Sequence, residues 1–238
     1  IEQDIRKLVS FGTRNTLSDT TSDTRGIGAA RRWIKAEFER ISEDCGGCLE
    51  VFYQRNLVTA EDNRRIPEDT YVVNVVAVQR GTRYPNRYVI MSGDIDSRAS
   101  SSTDGEIDAP GANDNASGMA GALEAARVLS KYEFPASIIY TGLSGEEQGL
   151  FGGKHMAMVA KEEGGVIIGV LNNDMIVSRG FLWPLLDGFK NPDVFAVTSQ
   201  VHFPEGRRRE ETGATAAYFS LGYLNFTHLP ICEGHLKR

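Results

Sequence analysis

Apolar residues along this chain form two kinds of run, and the two kinds alternate. Helical spacing or alanine-rich composition predicts four helices, over Ile1–Ser10, Gly26–Ile41, Ser117–Ser130 and Leu150–Lys161. Short continuous runs of β-branched and aromatic residues predict four strands, over Tyr71–Val78, Tyr88–Ser92, Ala136–Thr141 and Val166–Asn172. The charged segment Arg55–Thr70 between the first helices and these strands is interpreted as a loop or a hairpin.

This alternation of strands and helices predicts an α/β fold. We expect a three-layer sandwich, in which a mixed, mostly parallel central sheet is covered by helices on both faces. The sequence contains no internal repeat and no clear linker, so we expect a single domain over residues 1–238.

Composition narrows the class of protein. The chain has 238 residues, of which 41% are hydrophobic and 24% charged, values typical of a globular protein rather than a disordered one or a coiled coil. Its net charge of −6 argues against a nucleic-acid partner. No apolar run approaches the roughly 20 residues of a membrane-spanning helix, so no membrane span is expected. No oligomeric state is indicated.

Two of the three cysteines, Cys45 and Cys48, are separated by two glycines. This spacing is compatible with half of a zinc knuckle, a redox pair or a small local disulfide. No second Cys pair or His pair follows at zinc-finger spacing, and the cysteines follow a predicted helix instead of opening one. We therefore favour a disulfide in an exported protein, secreted or periplasmic. No signal peptide is visible, and because the chain begins with Ile1 we expect a processed or trimmed form.

Carboxylates follow the predicted strands at the point where each strand ends. They are Asp94 and Asp96 after the second strand, Glu146 and Glu147 after the third, and Asp174 after the fourth; Asp114 lies in a loop just before a helix. Each alone is compatible with a helix cap, a turn or an exposed acidic loop. Because ligands of α/β sheets bind at the carboxyl ends of strands, the set together predicts a metal site at one sheet edge.

The segments that carry these carboxylates resemble a known family. They are Gly-Ala-Asn-Asp-Asn-Ala-Ser-Gly over 111–118, Ser-Gly-Glu-Glu-Gln-Gly-Leu-Phe-Gly-Gly over 144–153 and Asn-Asn-Asp-Met-Ile over 172–176. Taken in order, with Phe11–Arg14 and Gly26–Arg31, they are similar to the co-catalytic zinc aminopeptidases, which include bacterial leucine aminopeptidase. The resemblance spans about residues 5–178.

The resemblance implies a site and a reaction. Asp114 would bridge two divalent metal ions, with zinc as the family's metal, while Glu147 would bind one ion and Asp174 the other. Glu146 would be the general base that activates the bridging water and then delivers the proton to the leaving amine. The expected function is therefore a metal-dependent aminopeptidase that hydrolyses the amino-terminal residues of peptide substrates.

The chain departs from the family where a zinc-binding His is expected, in a His-x-Asp pair at the end of a strand. Asp94 stands in place of that His, and Asp96 is the residue that would orient it. A carboxylate can bind zinc, but an oxygen-rich site shifts preference toward manganese, magnesium or calcium. A cation between the two aspartates, or Arg98 nearby, would relieve their repulsion.

The carboxyl-terminal part departs as well. The family supplies its last zinc ligand as a late His, and only His228 and His235 stand late enough in this chain. We assign His228 to that role, with His235 as the alternative. From about residue 179 the family pattern is divergent or truncated.

Two other functions remain open on the same residues. A catalytically impaired relative would keep the fold as a binding or structural module, which Asp94 and the uncertain last His favour. A glutaminyl cyclase-like enzyme would share the fold and use one zinc ion.

Overall fold

The protein is described by a computed structural model that covers residues 1–61, 63–162, 166–171, 187, 215–220 and 223–228. Contacts within the chain divide it into two compact units, Ile1–Met175 and Ile176–Arg238. In the second unit, strands β6 (Thr215–Ser220) and β7 (Tyr223–His228) pair as an antiparallel hairpin. The expectation of a single domain stays a prediction.

The first unit contains the elements that the sequence predicts. Its helices are α1 (Glu2–Val9), α2 (Gly26–Asp44), α3 (Ser117–Leu129), α4 (Glu146–Gly149) and α5 (Phe151–Glu162). Its strands are β1 (Leu49–Val58), β2 (Thr70–Gln79), β3 (Tyr84–Asp94), β4 (Ala136–Leu143) and β5 (Val166–Leu171). The four predicted helices and four predicted strands are confirmed. In this unit the prediction missed β1 and the short α4. The charged segment Arg55–Thr70, interpreted as a loop or a hairpin, belongs to the hairpin formed by β1 and β2.

The five strands form one mixed sheet in the order β1-β2-β4-β3-β5. Strand β2 is antiparallel to both of its neighbours, whereas β3 is parallel to β4 and to β5. Four strands therefore run in one direction and only β2 runs in the other, which confirms the mixed, mostly parallel sheet.

Both faces of the sheet are covered by helices. Because successive strand residues point to opposite faces, Val75 and Ala77 pack with residues of α1, α2 and α3, while Val76 and Val78 pack with Met156 of α5. Full burial of a valine or methionine side chain contributes about 1.5–3 kcal/mol to the free energy of unfolding. These two apolar clusters are the interiors of the predicted three-layer sandwich.

The predicted disulfide joins Cys45 to Cys48 in the turn between α2 and β1. The hydroxyl of Ser42, in the last turn of α2, bonds both the carbonyl and the amide of Leu49, at 2.9 and 3.1 Å. Covalent and hydrogen bonds thus fix the entry to the edge strand. Among the described helices, none is long and apolar enough to cross a membrane.

Strand β3 and helix α3 approach each other through bare backbone at Gly93. A Cβ atom there would lie 2.3 Å from the amide nitrogen of Met119 and 2.4 Å from the carbonyl carbon of Gly118. No side chain fits in that space, so the end of β3 lies directly against the beginning of α3. This contact sets the distance between Asp94 and the segment that precedes α3.

We expect Gly93→Ala to destabilise the protein by about 1–3 kcal/mol, because the added methyl group meets main-chain atoms that cannot rotate away. The matched control is Gly153→Ala in α5, where the nearest atom to an added Cβ is Leu143 Cδ1 at 3.7 Å. That substitution should be neutral or stabilising by about 0.5–1 kcal/mol. Urea denaturation followed by circular dichroism measures both, and equal stability of the two variants would contradict the close approach.

Candidate metal centre

The strand ends bring the predicted carboxylates to one edge of the sheet. Asp94, the last residue of β3, lies opposite Leu143, the last residue of β4. The amide of Ile95 then donates to the carbonyl of Leu143 at 2.7 Å, so the two chains leave the sheet side by side. Glu146 and Glu147 open α4 only three residues further on.

Asp114 reaches the same region from a different element. It lies in the irregular turn Ala112–Ala116 that leads into α3, and its peptide bond to Asn115 is cis. Gly111, at the start of the turn, has φ 45°, and a Cβ atom on it would lie 2.4 Å from the carbonyl oxygen of Asp114. The turn is therefore tightly wound, and a side chain at this glycine would disrupt it.

Five carboxylates, which we call the acidic cluster, influence one another at this edge: Asp94, Asp96, Asp114, Glu146 and Glu147. Burial, followed by the charges of the other four carboxylates, raises the pKa of Asp94 to about 7. Burial also raises the pKa of Glu146, followed by the charges of Glu147, Asp96 and Asp114. Anions held together in this way favour the binding of a cation, so the donor chemistry fits divalent metal ions.

Asp96 is fully buried and organises the turn that carries the two glutamates. Its carboxylate accepts hydrogen bonds from the backbone amides of Glu146 at 3.3 Å and Glu147 at 3.2 Å, and from the hydroxyl of Thr16 at 3.1 Å. Burial raises the pKa of Asp96, and these hydrogen bonds act in the opposite direction. In this structure Asp96 therefore orients Glu146 and Glu147. Its expected role toward residue 94 stays a prediction.

Arg14 is a structural residue of the site whose role the sequence did not reveal. Its fully buried guanidinium donates to the carbonyls of Ile95 at 2.9 Å, Leu8 at 3.0 Å, Pro110 at 2.7 Å and Gly111 at 3.0 Å. One cation thus holds both ends of the loop between β3 and the turn of Asp114. Its only sequence signal was membership of the segment Phe11–Arg14.

Arg98 places a positive charge on the acidic cluster at Glu147. Its Nε donates to Oε2 of Glu147, whose side chain is 11% exposed. Burial raises the pKa of Glu147, while Arg98 lowers it. Oε1 of the same carboxylate has no hydrogen-bond partner within the described ranges. One oxygen of Glu147 is therefore held by Arg98, and the other is available to a metal.

The structure describes only part of the predicted ligand set. Asp174 and His235 lie outside the described residues. His228 ends β7 in the second unit, and only its backbone is described. Within the part of the chain that is described, no three side chains of His, Cys, Asp or Glu form a complete ligand group. The assignment of Asp94, Asp114 and Glu147 as metal ligands therefore stays a prediction.

The chain is similar to known proteins in its sequence and in its fold. The model of peptidase family M28 matches residues 74–208. A probable zinc metalloprotease of Leptosphaeria maculans is 46% identical over 178 residues, which are 75% of this chain and 41% of that protein. The chain spans about two fifths of the length of the curated relatives it matches.

The solved structures that share the fold include an aminopeptidase and a glutaminyl cyclase. The LapA aminopeptidase of Legionella pneumophila has a TM-score of 0.52 at 24% identity, covering 71% of this chain and 40% of that one. The glutaminyl cyclase of Fimbriiglobus ruber has a TM-score of 0.52 at 18% identity, covering 68% and 54%. At these identities the likeness concerns the fold alone, and it confirms the predicted α/β architecture.

We expect Thr16→Val to destabilise the protein by about 1–3 kcal/mol, because two buried hydrogen bonds are lost with little change in shape. The Thr16 hydroxyl donates to Asp96 and accepts from the amide of Gly145 at 3.0 Å. Thr16→Ser keeps the hydroxyl and serves as the control. Urea denaturation gives the stability, and hydrogen exchange should be faster at the Gly145 amide in the valine variant only. Equal exchange in both variants would contradict this arrangement.

Proposed function

Because the chain belongs to peptidase family M28, we propose that it is a metal-dependent peptidase that removes amino-terminal residues from peptides. The observation that supports this most is the acidic cluster, in which two adjacent glutamates follow β4 beside Asp94. A hydrolytic metal site needs one carboxylate to bind an ion and another to handle the proton. Glu147 and Glu146 meet those two requirements.

The described residues that would hold metal are Asp94, Asp114 and Glu147. We propose that Asp174 adds a further ligand and that the site takes two ions; the assignment of His228 stays a prediction. The relatives' description as zinc metalloproteases supports zinc, while the carboxylate at position 94 also suits manganese, magnesium or calcium. Such ions lower the pKa of a bound water and polarise a peptide carbonyl.

Glu146 is the proposed general base. Its backbone amide donates a hydrogen bond to Asp96 at 3.3 Å, and this bond holds the main chain of Glu146 beside the cluster. Burial raises its pKa, which suits a group that takes a proton from water and returns it to the leaving amine. Asp96 and Thr16 position this glutamate without touching the substrate themselves.

Two alternatives have support of their own. The pairing of Arg98 with Glu147 partly neutralises the cluster without a metal, which favours a non-catalytic binding module. The fold likeness to a glutaminyl cyclase favours cyclisation of an amino-terminal glutamine with a single zinc ion. The disulfide supports a secreted or periplasmic location for any of these functions.

We expect Glu146→Gln to lower kcat on a leucyl peptide by about 10²–10⁴-fold, because the amide cannot accept the proton of the attacking water. Its metal content should equal that of the unchanged protein, since this residue is not assigned as a ligand. Glu133→Gln, which changes an exposed residue outside the cluster, is the control. Chromatography of released leucine and elemental analysis provide the two readouts.

The same assay separates the alternatives. No turnover by the unchanged, metal-loaded protein would favour the binding module. Conversion of a glutaminyl peptide to pyroglutamyl product, with no release of amino acids, would favour the cyclase.

We expect Asp94→His to raise the affinity for zinc relative to manganese by on the order of tenfold or more, because imidazole is a softer ligand than carboxylate. Competition with a chromophoric chelator measures both affinities. Asp108→His places the same side chain on a residue whose side chain is 73% exposed, and it should change neither affinity. If Asp94→His behaves like Asp108→His, residue 94 is not a metal ligand.

A further inference from the structure

An open cavity of about 470 Å³ lies beside the two glutamates of the acidic cluster. Although the cavity adjoins the acidic cluster, much of its wall consists of positively charged side chains and hydroxyl groups. The lining residues are Arg65, Arg98, Ser100, Ser101 and Ser102, together with Glu146 and Glu147. The proposed catalytic base and one proposed metal ligand therefore face a cavity with two guanidinium groups.

Arg98 donates only one of its N–H groups to a residue that the structure describes. Its Nε holds Oε2 of Glu147, and its side chain is 47% exposed. Both Nη groups are without a hydrogen-bond partner among the residues that the structure describes. A guanidinium is a planar fork that can bind a second carboxylate with these two nitrogens. Arg98 can thus connect Glu147 to an anionic group of a ligand.

Arg65 is held at the same cavity by its own contacts. Its Nη1 donates to the carbonyl of Glu147 at 3.1 Å, and its amide donates to the side chain of Asn63 at 2.7 Å. Asn63 in turn donates to the carbonyl of Gln148 at 3.0 Å. The loop that carries Arg65 is therefore attached to α4 at more than one point, which places a second positive charge near the first.

The serine segment is anchored in the same way. The carbonyl of Ser102 accepts hydrogen bonds from the side chains of Gln148 at 2.7 Å and Asn15 at 3.1 Å. Gln148 and Asn15 are both fully buried. This side of the cavity is consequently built on the interior of the protein and not on a free surface loop.

Charge also favours an anion here. The cavity contains two arginines and two glutamates, and Oε2 of Glu147 is already paired with Arg98. The proposed function assigns the same carboxylate of Glu147 to a metal ion, so the two guanidinium groups face one further carboxylate, that of Glu146. An anionic group of the substrate would balance the remaining positive charge.

We propose that this cavity binds a carboxylate on the leaving-group side of the scissile bond, with Arg98 as its main contact and Arg65 as the second. This inference rests on the proposed function and assigns it a substrate class: dipeptides, or peptides with an acidic residue after the scissile bond. Glu146 lines the cavity and delivers its proton to the leaving amine, so the leaving residue lies next to the arginines. The terminal carboxylate of a dipeptide is one carbon from that amine.

The test compares two substrates that differ only in this charge, Leu-Gly and Leu-Gly-amide. The metal-loaded protein should show kcat/KM at least about tenfold higher for Leu-Gly, because hydrogen bonds to charged groups are the stronger ones. Arg98→Met should bring the ratio close to one, and Arg65→Met should lower it in part. Arg64→Met removes an exposed arginine that does not line the cavity, and it should leave the ratio unchanged.

Leu-Asp-amide and Leu-Asn-amide distinguish the source of the carboxylate. A preference for the aspartyl compound that Arg98→Met abolishes would assign the cavity to an acidic side chain instead of a chain terminus. An equal kcat/KM for both members of each pair overturns the proposal. An equal loss on charged and neutral substrates in Arg98→Met also overturns it, since Arg98 would then only support Glu147.

A binding measurement separates this inference from the proposed function. Calorimetric titration of Glu146→Gln with Leu-Gly and with Leu-Gly-amide requires no turnover. Tighter binding of Leu-Gly that is lost in the double variant with Arg98→Met supports the carboxylate site even if no peptide is hydrolysed. Equal binding of the two compounds overturns it, whatever the activity of the protein.

Discussion

The buried carboxylate of Asp96 is the interaction on which the candidate site depends. It lies two residues after the end of β3, yet its hydrogen bonds go to Thr16 near the amino terminus and to the amides of Glu146 and Glu147. Three segments far apart in sequence are thereby held together at one sheet edge. A buried anion is expensive unless its hydrogen bonds are satisfied, so these partners stabilise the fold and the site together.

Much of the fold could be predicted from the sequence, because each strand from β2 to β5 contains a continuous apolar run, and the runs of β2 and β4 are buried in the sheet. Strand β1 was missed because it is an edge strand whose short apolar runs, Val51–Tyr53 and Leu57–Val58, are separated by the polar residues Gln54–Asn56. The meeting of Asp94 with Glu146 and Glu147 was predictable too, because parallel strand ends share an edge.

Contacts between loops could not be predicted. Arg98 and Glu147 are 49 residues apart, and Arg14 reaches carbonyls 81 to 97 residues away. Such pairs depend on the paths of irregular segments, and the periodicity of apolar residues in the sequence does not predict those paths. Fold likeness does not supply them either, since an aminopeptidase and a glutaminyl cyclase share this architecture equally well. The local charges around Glu146 and Glu147 therefore carry the functional argument.

The backbone contact at Gly93 has a consequence for how such proteins diverge. Because β3 and α3 touch through main-chain atoms, the Cα of Asp94 keeps its place whatever side chain it carries. At this proposed ligand position, a change from His to Asp would alter the ligand chemistry while the surrounding architecture stays the same. The metal preference of the proposed site would then change through a single nucleotide, since the His and Asp codons differ at one base.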